Sequence, residues 1–552
     1  MLLLLFTLFL QLFVFYSYSL PIRFIYNSRK LLSLEILKGI AVLSTVSLIT
    51  AFFTSLSLKY EIIILSVAIL FFILFKGWKE FPYEKLKSKL FILLVLLTAF
   101  VGSMNAFIYD TFLYYLPSIK WLDEYGMVKG LANFDFNFGQ MSLWHILQST
   151  FNNTIDPTYK INASLIVLFC IYVWEINKKQ FLLFLPLFYF FVASPSTDLV
   201  VYVFSAILIL NYLINKSQES IFYGLIGSTV LVLIKPLSII LPFYFFYLYI
   251  KSLRYKLNYA PICVVFFLFV LFVSKNIFLT GNPIFPLKGG VLKLVHSVPY
   301  RMYEINDLLV RHIIIEKADS KALSAFKDYM KWNDYDYFLV LFSTYNVGVI
   351  LYLIVSGIVI LFLVNSIIKR NFADILLSLL IVFKILIIMY TSMQYRFIVD
   401  GLILVSCFIG IRFNINLKLI IPLIVIFGIS FVYSKQIFKI QDPNFIIRNR
   451  PKDYTINRLL VSKNAYTAGY KTEIFNFKTN VNLSHDLSYD LKQPVIPKKI
   501  FRMYLYQNSH PELIDSSDIK LGFKMVPNEQ NHINEINTHL NNIQSYRKQL
   551  EK

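Results

Sequence analysis

The chain has 552 residues, of which 57% are hydrophobic and only 15% charged, with a mean hydropathy of +0.62. A soluble domain carries about 25% charged residues, so the composition excludes a water-soluble globule, a disordered chain, a coiled coil and a collagen-like fibre. The net charge of +21 is scattered between apolar runs. That argues against nucleic acid and fits Lys and Arg flanking membrane spans on the cytoplasmic side.

In chain order, apolar runs long enough to approach the ~17–25 residues of a span occupy 2–20, 34–57, 61–76, 90–109, 160–175, 181–194, 199–214, 221–235, 236–250, 259–277, 346–368, 373–391, 397–412 and 418–434. The first lacks the basic start and small-residue cleavage site of a signal peptide, so it reads as a retained helix. Cys170, Cys263 and Cys407 all lie inside apolar runs and support neither a disulfide framework nor a thiol metal site. The predicted fold is an all-α polytopic membrane protein, with about 12–14 transmembrane helices over 1–434 and a small polar domain over 435–552.

The short basic links set the expected sidedness. Arg23, Arg29 and Lys30, then Lys76, Lys79, Lys85, Lys87 and Lys89, then Lys178 and Lys179, then Lys251, Arg254 and Lys256, then Lys369 and Arg370, all fall on one face. By the positive-inside rule that face is cytoplasmic. The opposite face then receives the large loops 110–158 and 278–345, the links 194–198 and 392–396, and the tail from 435, with turn signals such as Asn449-Arg450-Pro451 and Gln493-Pro494. The tail reads as a small mixed domain or a cap.

Three places carry candidate chemistry. Asp110 directly follows an apolar run and precedes Tyr114, Tyr115, Lys120 and Glu124. A carboxylate at the membrane boundary suits general-base work on a substrate held at the lipid surface, and it would equally serve as a helix N-cap. Asp198 closes the tight link Ser194-Pro195-Ser196-Thr197-Asp198. It reads as an N-cap, or as a second carboxylate that with Asp110 would permit a divalent cation or a split of acid and base roles. Arg396 heads a membrane run with Asp400 four residues on, an arrangement that offers a phosphate-binding guanidinium or a structural ion pair. Lys235, before Pro236, is a further candidate phosphate cation, Lys384 a candidate partner for a carboxylate across the bundle, and each would equally serve as a lysine snorkelling to the interface. The histidines are scattered. His532 and His539 share a helical face without an evident third ligand. There is no GxxxxGK[ST], no HExxH and no GxSxG, so neither ATP nor a nicotinamide is implied.

An acidic residue opening the first large outer loop, followed by aromatics and a helix ending at Gly126, resembles the GT-C superfamily of integral-membrane glycosyltransferases. The run Asp110-xxx-Tyr114-Tyr115, Lys120-Trp121, Glu124-Tyr125-Gly126, Gly130-Leu-Ala-Asn133 and Ser142-Leu-Trp144-His145 also resembles a bacterial membrane family linked to surface-polysaccharide synthesis. Ser194–Asp198, Gly281-Asn-Pro283-Ile-Phe-Pro286, Tyr395-Arg396-Phe397 and Lys520-Leu-Gly522-Phe523-Lys524 match further blocks. The resemblance implies a GT-C-like bundle in a bacterial inner membrane, with its site on the outer face. Asp110 would be the base. Arg396, Lys235, Asp198, Tyr114, Tyr115, Lys120, Glu124 and His145 would bind a polyprenyl-phosphate-linked sugar and a glycan or lipid acceptor. The paired acid usual in such loops is absent beside Asp110, so Asp198, or Asp123 with Glu124, would supply it. Two other readings share the face and the substrates: a polysaccharide polymerase or O-antigen ligase, and a lipid-linked oligosaccharide flippase. If Asp110, Asp198, Lys235 and Arg396 serve one site, their side chains should converge.

Overall fold

A computed structural model describes residues 1–24, 31–79, 87–104, 106, 108, 110–253, 259–307, 347–391, 394–412, 417–433, 469–483 and 491–551. Arg29, Lys30, Lys85, Arg254, Lys256, the loop segment 308–345, the first part of the tail at 435–468 and the turn Asn449-Arg450-Pro451 lie outside the described residues.

The described chain is mostly helical. Its helices are α1 Leu2–Ser19, α2 Leu32–Phe53, α3 Leu58–Leu74, α4 Lys89–Gly102, α5 Leu116–Glu124, α6 Leu143–Ser149, α7 Ile161–Glu175, α8 Leu185–Tyr189, α9 Thr197–Asn215, α10 Gln218–Ile234, α11 Ile240–Ser252 and α12 Ala260–Thr280. After these come α13 Val347–Ile368, α14 Phe372–Thr391, α15 Val399–Gly410 and α16 Leu417–Tyr433. The tail adds β1 Gly469–Ile474, β2 Phe477–Asn482, β3 Val495–Ile496, α17 Lys498–Tyr506, β4 Ser509–Leu513, β5 Phe523–Pro527 and α18 Gln530–Glu551.

Among the described residues six helices are long and apolar enough to cross a membrane, at Leu2–Ile22, Leu32–Phe53, Thr197–Asn215, Ala260–Thr280, Ile350–Ile368 and Phe372–Met389. Most of the other expected runs form apolar helices of 10–17 residues. At 1.5 Å per residue these rise about 15–25 Å, short of a ~30 Å hydrocarbon core. The run 181–194 is not one helix. It is a 3-10 turn over Lys179–Phe184, then α8 with Pro186 in its first turn, then further turns.

The described chain divides into two compact units. The first holds 1–200, 273–298 and 414–552. In it α1 packs on α2, α3 and α7, and α2 on α6 and α7. The α1–α2 approach needs Gly39, where a Cβ would sit 1.6 Å from the Phe15 carbonyl oxygen. Glu175 at the end of α7 accepts from the Leu32 and Ser33 amides at 2.7 and 3.0 Å, satisfying the first donors of α2. The Lys160 ammonium, before α7, donates to the Met104 and Ala193 carbonyls at 2.6 and 2.8 Å. The chain ends near 104, 160 and 193 therefore meet at one end, and 32 and 175 meet at another, as the basic links predict.

The tail belongs to this unit. β1 and β2 form an antiparallel hairpin, β3 adds in parallel to β2, and β4 pairs antiparallel with β5. These strands cover the loop after α5. Tyr504 donates to the Phe134 carbonyl at 2.9 Å, the Phe523 amide to the Lys129 carbonyl at 3.0 Å, and Asn133 to the Phe523 carbonyl at 3.0 Å. Gly126 ends α5 with φ +74, and a Cβ there would meet the Thr54 carbonyl oxygen at 2.4 Å.

The second unit holds 201–272 and 299–413. α10 and α11 form one helical hairpin and α13 and α14 another, with α11 against α14 and α13 against α15. Lys384 of α14 pairs with Asp400 of α15, both buried, which realises the expected cross-bundle pair.

Candidate functional site

Asp110 stands at the head of a π-helical turn over Thr111–Tyr115 that runs directly into α5. Its own dihedrals are already helical and its side chain makes no capping hydrogen bond. The expected alternative of an N-cap is therefore not realised. π-turns inside helices concentrate at functional sites.

The same turn is tied to the link before α9. Thr111 Oγ1 and Ser194 Oγ lie 2.5 Å apart. Asn162 holds the link from the other side, donating to the Phe191 and Ser196 carbonyls at 3.0 Å each while accepting from Trp144 Nε1 at 2.8 Å. Ser196 is the cap of α9, because its Oγ accepts from the Asp198 amide at 3.3 Å. Asp198 is thus not the N-cap. It sits in the first turn, buried, with Ser196 Oγ 3.3 Å from its Oδ2.

His145, on α6, faces the aromatics that follow Asp110. Its ring lies 4.7 Å from Tyr115 and 6.0 Å from Tyr114, and the two tyrosines are 4.5 Å apart. Burial, with help from the neighbouring Lys275 ammonium, pushes the imidazole down to about 3, so it is neutral at physiological pH. The Pro195 carbonyl pulls weakly the other way, but neither ring nitrogen reaches a partner in good hydrogen-bond geometry. A buried imidazole of this kind is rare and suits contact with a bound molecule. The sequence reading of 110–145 and 194–198 as parts of one site therefore gathers Asp110, Tyr114, Tyr115, His145 and Asp198 in one region of the first unit.

Lys120 and Glu124 lie further along α5, and Glu124 meets the tail. Glu124 accepts from the Gln493 amide at 3.2 Å, and Tyr125 Oη donates to the Gln493 carbonyl at 3.1 Å. Burial raises the Glu124 carboxyl above its usual range, and Lys120 pulls it back.

In the second unit Lys235 and Arg396 converge, although 161 positions separate them. Lys235 lies in extended backbone between α10 and α11, a conformation that Pro236 imposes on the residue before it. Its ammonium sits 4.0 Å above the Phe397 ring, and the Arg396 guanidinium lies 5.2 Å from the same ring. Arg396 Nε donates to Gln394 Oε1 at 2.8 Å, and its carbonyl accepts from Tyr202 Oη at 2.5 Å. The expected Arg396–Asp400 pair gives way to Lys384–Asp400, because Lys384 reaches the carboxylate from the neighbouring helix. A cavity of about 690 Å³ in this unit is lined by Lys216, Lys251, Asp374 and Arg412, at the opposite ends of these helices from Lys235 and Arg396.

A family model described as "Domain of unknown function (DUF8201)" matches residues 1–403. The chain belongs to DUF8201. No curated protein and no solved structure matches it. The DUF8201 match contains Asp110, His145, Asp198, Lys235, Arg396 and Asp400, and the tail lies beyond it.

Within the DUF8201 region several buried ionisable groups escape sequence reasoning. Lys275, inside α12, donates to the Met141 carbonyl at 2.7 Å beside His145. A lone Lys in a 21-residue apolar helix was the available signal. Glu61 accepts from the amides of Asn153, Thr154 and Ile155 at 2.6–3.1 Å, and Asp156 accepts from Gln11, Gln148, Thr158 and the Lys160 amide. These partners lie up to 145 positions apart, so no local pattern marks them.

Proposed function

We propose that this DUF8201 protein is a membrane glycosyltransferase with GT-C-like chemistry, which moves a sugar from a polyprenyl-phosphate donor to a glycan or lipid acceptor on the extracytoplasmic side. The Asp110 carboxylate takes the proton of an acceptor hydroxyl. That oxygen bonds to the anomeric carbon as the bond from this carbon to the phosphate oxygen breaks. The electron pair leaves with the lipid phosphate, and the configuration inverts. Within the second unit, Lys235 and Arg396 present an ammonium and a guanidinium of the kind that binds a phosphate. Neutral His145 and the two tyrosines bind the acceptor.

The observation that carries the reading is the placement of Asp110 at the head of a π-turn that Thr111 ties to Ser194, with Tyr115 and His145 in ring contact just beyond it. The presence of an ammonium and a guanidinium at the Phe397 ring adds support, since both groups suit a phosphate. The apolar helices support placement in a bilayer, the bacterial inner membrane in this reading. Asp110→Asn should express and fold normally yet lower turnover by about 10²–10⁴-fold, the usual contribution of a general base. Complementation of a deletion strain checks this, and full restoration of the wild-type surface glycan would remove Asp110 from the mechanism.

A flippase for the same lipid-linked sugars is the second reading. It is favoured by buried ionisable groups in both units, Glu61, Asp156 and Lys275 in the first and Lys384 and Asp400 in the second. It predicts transport without new glycosidic bonds and tolerance of Asp110→Asn.

A further inference from the structure

The tail holds a cluster that the catalytic reading does not use. β4 presents His510 and Glu512, two residues apart and so on one strand face, and the first turn of α18 presents His532. One ligand atom from each of the three lies within 4.8 Å of the other two. Among the described residues this is the one such group of three.

The orientation of His510 is fixed by a chain of bonds. Asn528 Nδ2 donates to the Tyr504 carbonyl at 2.9 Å, which turns Asn528 Oδ1 toward His510 Nδ1 at 2.8 Å. The proton of the neutral ring therefore sits on Nδ1, and the Nε2 lone pair points into the cluster. Metal-binding imidazoles are held in just this way by a partner on the other nitrogen. Phe475 stacks on the ring at 4.1 Å, held there by a left-handed backbone with φ 58. His510 is fully buried, and its Nε2 has no hydrogen-bond partner. The nearest acceptor, Glu512 Oε1, is 3.5 Å away. That is long for a hydrogen bond, but it matches the edge of about 3.4 Å between two ligands of a tetrahedral ion with bonds of about 2.1 Å. Glu512 Oε2 faces Lys524 Nζ at 3.8 Å, so the carboxylate is positioned as an anionic ligand.

We propose that His510, Glu512 and His532 bind one divalent transition-metal ion of the zinc class, which clasps α18 to the β4–β5 pair. Two imidazoles and one carboxylate select zinc-like ions over magnesium or calcium, and three protein ligands leave the fourth position to water. The proposal is independent of the glycosyltransferase reading.

The test uses the full chain in detergent, without a histidine tag, stripped with EDTA and titrated with zinc and with cobalt. Wild type should bind one equivalent of zinc, give the intense visible absorption of four-coordinate cobalt, and melt at a higher temperature with zinc than with EDTA. Glu512→Gln and His532→Ala, at half-buried positions, should weaken binding at least tenfold and lose the cobalt spectrum while keeping wild-type helicity. His539→Ala should retain the site, since that ring stacks on Phe501 and Tyr470 instead. Absence of zinc binding by wild type, or equal binding by wild type, Glu512→Gln and His532→Ala, would overturn the proposal.

Discussion

The two units use buried charge differently. In the first, carboxylates are neutralised mostly by hydrogen-bond donors: Glu175 takes two amides of α2, Glu61 three amides of 153–155, and Asp156 two side-chain amides, a hydroxyl and a backbone amide. In the second, Asp400 is met by the Lys384 ammonium, and Lys235 and Arg396 gather on one aromatic ring. Donor-saturated carboxylates hold loops in place, whereas a pair of cations on a ring is suited to a transient anion. Asp110 stands at the head of a π-turn in the first unit, in a helical backbone rather than at a capped helix start.

After Asp110→Asn, the largest expected effect sharpens this contrast in the second unit. Arg396→Gln should lower turnover about 10²–10³-fold, the cost of deleting one preorganised stabilising donor, and Lys235→Gln should fall in the same range. Arg396→Lys should recover part of the loss, because charge remains while the planar fork is gone. Equal stability of all three proteins, measured by thermal unfolding in detergent, separates this outcome from misfolding. Wild-type turnover in both Gln variants would leave the ring–cation contacts as packing alone.

The next effect probes the first unit. Burial raises the Asp156 carboxyl to about 6, despite the donors that lower it. A carboxyl raised in the folded state binds its proton more tightly there than in the unfolded chain. Its contribution to stability is then fully present below about pH 4 and is lost as pH rises through about 6. The penalty at neutral pH is of the order of 3 kcal/mol. Asp156→Asn should therefore flatten the fall in melting temperature between pH 4 and pH 7. An unchanged pH profile would show that Asp156 does not titrate in that window.

The smallest effect concerns the tail. Tyr125→Phe removes the hydrogen bond to the Gln493 carbonyl and should cost about 1 kcal/mol, read as a modest drop in melting temperature. A large drop would mean that the tail's hold on α5 depends on this one contact.

Much of this arrangement was legible in the sequence. Apolar runs mark the long helices up to residue 433, because burial or lipid contact demands long apolar stretches, whereas α5, α6, α17 and α18 lie outside them. The shared ends at 104, 160 and 193 follow from the spacing of basic links. Lys384 was readable as a partner for a carboxylate because an isolated charge in an apolar run needs one. Other features were hidden for physical reasons. The π-turn after Asp110 depends on one backbone hydrogen-bond shift that no side-chain period encodes. Pro186 and the 3-10 turn before it break the run 181–194 although its apolarity is continuous. Asp156 and Glu61 are satisfied by distant backbone groups, which carry no residue signature. In sequence His532 shares a helical face with His539, whereas its neighbours in space, His510 and Glu512, lie on a short strand that contains Pro511.

In the proposed function Asp110 drives transfer of a sugar off a lipid phosphate. Its most direct test is mass spectrometry of polyprenyl-phosphate-linked sugars in a deletion strain carrying either the wild-type or the Asp110→Asn chain at equal abundance. The account predicts that the donor lipid accumulates with Asp110→Asn and returns to its basal level with wild type. Equal, basal amounts of every such lipid in both strains would contradict it.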